Sequence, residues 1–134
     1  RGLGDVYKRQ EQVASMERLE HVLDTHGKTM FRPRFASDIA EVGPAGCFDD
    51  DVNGICASKA VIANLMDEDS GTMFEIGFAH SLGIPVYAYR EGLRDGDSIN
   101  LMIAQSVRAV FSSSDDLARY LETGEHKDAD YAQF

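Results

Sequence analysis

Three short, almost continuously apolar runs constrain what this chain can fold into. They are Lys59–Met66 (K-A-V-I-A-N-L-M), Pro85–Tyr89 and Val107–Phe111. A strand with apolar residues at successive positions must be covered on both faces. Such strands, separated by segments of helical spacing, form a parallel sheet with helices packed on either side. Right-handed crossovers then give a doubly wound, three-layer α/β/α fold.

The helices fall between the runs. Glu11–His26 sets Val13, Met16, Leu19, Val22 and Leu23 on one face and ends at Gly27. Thr29–Arg32 reads as a short strand stopped by Pro33. Phe35–Phe48 carries Gly43, Pro44 and Gly46 and reads as a loop, with a helical turn at Ser37–Glu41. Phe48–Ser58 is expected to be helical, with Phe48, Val52, Ile55 and Cys56 on one side. Ser70–Leu82 is a helix with Ser70 or Asp69 as its N-cap and Gly83 beyond its end. Glu91–Ser98 is a polar loop, Ile99–Ser106 a helix, and Ser112–Ser114 caps a last helix at Asp115–Leu121. Thr123–Phe134 is a polar tail.

Four strands are thus expected. A fifth should precede the first helix, because that helix needs a parallel strand to return from. It should lie in Arg1–Gln10 (R-G-L-G-D-V-Y-K-R-Q), where only Asp5–Tyr7 looks like a strand. The segment reads better as a tag, a cloning scar or a misassembled terminus, with the first strand missing or replaced.

The 134 residues suit one domain, residues 1–134, with a core of its own. A formal net charge of −10 argues against nucleic acid or an anionic membrane as the main partner. No apolar run approaches the roughly 20 residues of a membrane span, and no secretory h-region is visible, so the cytoplasm is the default location. Cys47 and Cys56 are expected to be free thiols, with no metal-ligand spacing around them.

The chemistry-bearing stretch is Asp67–Ile84. It sets a carboxylate, Glu75, inside an otherwise apolar helical segment, where an acid is costly unless paired or functional. In open parallel sheets, ligands bind beyond the carboxyl ends of the strands. Asp67–Ser70 lies at such an end, which brings Asp69 and Glu75 near one another. Asp49, Asp50 and Asp51 add carboxylates at another helix. Each has a plain structural reading as well: Asp69 as an N-cap, Glu75 as a buried acid satisfied by hydroxyls, the Asp run as a solvated helix start. Carboxylates converging on a cleft suit glycosidic chemistry, one attacking the anomeric carbon and one handling the leaving-group proton. Mg²⁺ coordination is the competing reading. There is no P-loop and no G-x-G-x-x-G.

The stretch D-S-G-T-M-F-E-I-G-F-A-H-S-L-G-I-P-V at Asp69–Val86, with D-V-N-G-I at Asp51–Ile55 and I-N-L-M at Ile99–Met102, resembles the nucleoside 2-deoxyribosyltransferase family. The resemblance runs from about Glu11 to Arg119. It implies a flavodoxin-like sheet, no cofactor and no metal, and a homo-oligomer, dimer-based and up to a hexamer, with shared active sites. The implied substrates are deoxynucleosides and free nucleobases. Glu75 matches the family's nucleophile, which forms a covalent 2-deoxyribosyl intermediate. Asp51 matches the acid that assists the departing and incoming bases, with Asp50 one register away. Asp69 matches the carboxylate that orients sugar and nucleophile. Asn100 matches an amide that reaches a neighbouring subunit's site and holds the 5′-hydroxyl. Gly71, Thr72 and Met102 come with the same motifs as substrate contacts. A terminal carboxylate serves in some members, which implicates Phe134, and Tyr7 stands where an early family Tyr would be. The departure is at Arg1–Gln10, which lacks the expected strand and ligand-touching loop. A deoxynucleoside or deoxynucleoside 5′-monophosphate hydrolase and a non-catalytic nucleotide-binding module are the alternatives. Phe31, Phe35 and Phe48 are either base-stacking or core aromatics.

Overall fold

The computed structural model describes residues 3–29, 38–66 and 69–134. In chain order the elements are helix α1 (Leu3–Thr25), helix α2 (Ile39–Cys56), strand β1 (Val61–Asn64), helix α3 (Ser70–Ser81) and strand β2 (Val86–Tyr89). Strand β3 (Ser98–Ile99), helix α4 (Leu101–Ser106), strand β4 (Val110–Phe111), helix α5 (Ser114–Thr123) and strand β5 (Ala132–Gln133) complete them. β1, β2 and β4 form a parallel sheet in that order, in register Val61 with Val86 and Ala88 with Val110.

The period of two along each strand sorts the core into two layers. Ala63, Val86, Ala88 and Val110 face Ile55 of α2, Ile76 and Ala79 of α3, and Ala104 of α4. Ile62, Tyr87, Tyr89 and Phe111 face Leu19, Val22 and Leu23 of α1 and Leu117 of α5. Helices therefore cover both faces, the three-layer α/β/α arrangement that the apolar runs demand. The amphipathic face read at Glu11–His26 is the buried one, except that Val13 is half exposed.

Two sequence expectations are corrected. Residues 3–10 are not a strand: α1 runs through them, so Asp5–Tyr7 is helical. Once Glu11–Thr25 has nucleated, extending the helix over Val6–Gln10 is cheap, and Lys8, Arg9 and Gln10 are good helix formers. No described strand lies on the outer side of β1. Residues 39–48 are not loop either. Asp38 caps α2 by accepting from the Ala40 amide at 2.9 Å, and the helix breaks at Gly43, whose φ of 73° suits only glycine at low cost, then restarts at Pro44. The Gly-Pro pair is a kink within a helix instead of a loop. The strand expected at Thr29–Arg32 lies at and beyond Thr29, mostly outside the described residues, as do Phe31 and Phe35.

The tail is more ordered than its polarity suggested. β5 pairs in parallel with β3, and Asp130 and Ala132 bond to the loop before β3. None of the described helices is long and apolar enough to cross a membrane.

Candidate functional site

The site is assembled where α2 and α3 meet beside the carboxyl end of β1. Asp69 stands at the N-cap of α3, its Oδ1 accepting from the Thr72 amide at 2.6 Å. Gly71 keeps that cap open: a Cβ there would come within 3.2 Å of Asp69 Oδ1. A turn further on, Glu75 is half-buried and lies against Asp51 of α2 closely enough to share a proton. Asp51 Oδ1 is buried with no hydrogen-bond partner among the described residues. Such an orphaned acceptor is costly and marks a position where a donor is wanted.

Electrostatics follow from this geometry. Burial pushes the Glu75 carboxyl up to about 8, and the hydrogen bond and negative charge of Asp51, then the charge of Asp69, push in the same direction. Three carboxylates this close repel one another when ionised, which favours the protonated form of Glu75.

Asp50, one residue away, is exposed and is not among the groups acting on Glu75. The helical register of α2 therefore separates the two aspartates, turning Asp51 toward α3. Asp69, Thr72 and Glu75 line a cavity of about 660 Å³ that also touches Asn64, Met66 and Ser58 and continues along the outer side of β1 toward α1. Asn100, Met102 and Phe134 lie elsewhere. Asn100 caps α4 by accepting from the Met102 amide at 2.8 Å, and Phe134 O accepts from the Leu101 amide at 2.8 Å. These three are exposed and do not line the cavity. Tyr7 is exposed on α1 and also away from it. Phe48 is neither core nor cavity wall; it is exposed and tilted against Phe74, ring centres 5.9 Å apart. No group of three or more His, Cys, Asp and Glu among the described residues is arranged to hold a metal ion.

A second polar cluster was not foreseen. At the carboxyl ends of β1 and β2, Arg18 forks onto Glu91 at 2.6 and 2.8 Å, Tyr89 donates to Glu91 at 2.5 Å, and Asn64 donates to the fully buried Ser15 at 3.0 Å. Arg18 holds the Glu91 carboxyl below its usual range, and burial pushes the Tyr89 hydroxyl up. The one sequence signal for it was Asn64, a polar residue inside the K-A-V-I-A-N-L-M run.

The family model for nucleoside 2-deoxyribosyltransferase matches residues 4–105. Among solved structures, a 2-deoxyribosyltransferase from the psychrotolerant bacterium Bacillus psychrosaccharolyticus is similar, with 30% sequence identity and a TM-score of 0.65 over 82% of this chain and 83% of that chain. None of the curated proteins matches this chain.

The Glu75 carboxyl binds its proton more tightly folded than unfolded, so its contribution to stability is fully present below its ordinary value of 4.5 and is lost as pH rises through about 8. Glu75→Gln, neutral at every pH, is expected to raise Tm by about 3–6 °C at pH 8, after allowing for solvent screening on its open side. The gain should vanish near pH 4. Thermal melts across that range check this; an equal gain at both ends contradicts it.

Proposed function

This chain belongs to the nucleoside 2-deoxyribosyltransferase family, and we propose that it exchanges the base of 2′-deoxynucleosides by double displacement on Glu75. The observation that carries the proposal is the half-buried Glu75 lying against Asp51 of α2, with Asp69 at the cap of the helix that bears it. One proton over two carboxyls is the inventory the reaction needs. When it resides on Asp51, Glu75 is an ionised nucleophile and Asp51 a ready acid.

The steps follow from that arrangement. A Glu75 carboxylate oxygen attacks C1′ as the C1′–N bond breaks. The departing base keeps the bonding pair and takes the proton from Asp51. The sugar is left as a 2-deoxyribosyl ester of Glu75. A second base attacks C1′ through a ring nitrogen, passes its N–H proton to the Asp51 carboxylate, and displaces Glu75. Two inversions give net retention. Asp69, fixed as the N-cap of α3, orients the sugar and keeps a negative charge near the developing oxocarbenium centre. Thr72 lines the same cavity, Gly71 leaves room for the Asp69 cap, and the exposed Asp50 contributes only at longer range.

Asn100, Met102 and Phe134 are proposed to complete the site of a neighbouring copy. Support comes from the exposed apolar surface around them. Phe74 and Leu82 of α3 and Leu101 and Met102 of α4 are each about half exposed or more, and Phe74 stacks on Phe78 with ring centres 5.8 Å apart. Phe74, Phe78 and Leu82 recur every four residues, so they form one stripe. An apolar stripe of this kind on a net acidic protein fits a second copy of the same chain. Asn100, at its edge, would then donate or accept at the partner's 5′-hydroxyl.

Incubating the protein with deoxyinosine and adenine, followed by chromatography, tests the activity. Deoxyadenosine is the expected product; free deoxyribose alone means a hydrolase, and neither product means a binding module. Glu75→Ala is expected to reduce exchange by at least about 10³-fold; undiminished exchange removes the nucleophile assignment. Phe74→Glu is expected to shift sedimentation toward monomer and to lower exchange in parallel. A full-size oligomer with wild-type activity contradicts the shared-site reading.

A further inference from the structure

The polar segment after α5 is fastened at both of its ends. At the near end, the His126 side chain is 6% exposed and sits between two carboxylates, Nε2 2.6 Å from Asp128 Oδ1 and Nδ1 3.2 Å from Asp116 Oδ1. Its ring packs edge-on against Phe111 of β4, centres 4.7 Å apart. Both carboxylates are themselves tied to the sheet: Asp128 Oδ1 accepts from the Val110 amide at 2.9 Å and Asp116 Oδ2 from the Ser112 amide at 3.1 Å. Each ring nitrogen thus faces a carboxylate from a different segment. It is a joint between β4, α5 and the segment that follows.

From that joint the chain runs across the loop before β3. Asp130 O accepts from the Gly96 amide at 2.9 Å, the Asp130 amide donates to Asp95 Oδ1 at 2.8 Å, and the Ala132 amide donates to Asp97 O at 2.7 Å. At the far end Phe134 grips both neighbours of Asn100. Its amide donates to Ile99 O at 3.3 Å and its carbonyl oxygen accepts from the Leu101 amide at 2.8 Å. Gln105 donates to Gln133 Oε1 at 2.8 Å, closing the clasp over α4. Asn100 is exposed, and β3 and α4 are only two and six residues long; buried Ile99 and Ala104 and the Arg90 bond to Ser98 O at 2.9 Å hold this corner from the core side, and the segment holds it from the other.

We propose that His126 is a positioning residue for the exchange reaction: it anchors a strap, residues 126–134, whose far end fixes the backbone on both sides of Asn100. The inference rests on the reading of Asn100 as the amide that holds the 5′-hydroxyl. His126 touches no substrate; it acts through the strap.

Two variants and two readouts test it. His126→Ala removes the anchor. Ala132→Pro, at an exposed position, removes the amide that bonds Asp97 O while leaving the His126 joint intact. Both are expected to raise KM for deoxyinosine about tenfold with kcat within about twofold, the signature of lost binding that is uniform through the reaction. Both should also speed hydrogen exchange at the Leu101 and Phe134 amides while the Ala88 amide, in the sheet, stays protected. A role in stability alone would lower Tm without moving KM below the melting transition. Unchanged KM in Ala132→Pro, or Leu101 and Phe134 amides that keep parental protection in His126→Ala, overturns the proposal. If Asn100→Ala raises KM and neither strap variant does, only the positioning role falls. If the parent protein exchanges no bases, the functional reading falls and takes this one with it.

Discussion

The burial of Glu75 against Asp51 and beside Asp69 is the constraint on which the rest depends. An acid in a half-buried pocket is unfavourable when ionised, and a second acid beside it makes ionising both worse. The fold accepts this because its other layers are well packed. Ile76 and Ala79, flanking Glu75 on α3, are fully buried against the sheet, which holds the helix carrying the carboxylate rigidly in place. The Asp69 cap fixes the start of the same helix, and the kink at Gly43 sets the course of the helix that presents Asp51. The energetic cost of the acid pair is thus met by apolar burial some distance from it.

Much of the fold was legible because its strands are buried on both faces. Such strands announce themselves as apolar runs, and β1, β2 and β4 lie inside the runs read at Lys59–Met66, Pro85–Tyr89 and Val107–Phe111. The α3 boundaries were legible from Asp69 and Gly83, residues with specific roles at helix ends. Illegible parts were those where tertiary context overrides local chemistry. Gly43-Pro44 is a loop signal in isolation but a kink when helix continues on both sides. Residues 3–10 carry no amphipathic pattern of their own and extend the helix that follows them. The strap at 126–134 looked like solvated tail because its bonds go to backbone groups and carboxylates far away in sequence, which no local pattern reports.

The site was legible as residue types and only partly as geometry. Glu75 stood out because an acid inside an apolar helical stretch needs a reason. The choice between Asp50 and Asp51 was open from the sequence; the register of α2 turns Asp51 inward and leaves Asp50 in solvent. Asp69 is the N-cap it was read as, by its bond to Thr72, and its charge also pushes the Glu75 carboxyl up. The cluster of Ser15, Asn64, Arg18, Glu91 and Tyr89 went unread because its members come from α1, β1, β2 and the loop after β2, and only folding brings them together.

The proposed double displacement makes Glu75 the nucleophile and Asp51 its proton donor, and its signature is a covalent sugar on Glu75. The most direct measurement is peptide mass mapping after acid quench of the protein incubated with deoxyinosine alone, where no acceptor base is present to turn the intermediate over. The account predicts a 2-deoxyribosyl adduct on the tryptic peptide containing Glu75, absent from Glu75→Gln. Base exchange with no adduct on that peptide, or an adduct that persists in Glu75→Gln, would contradict it.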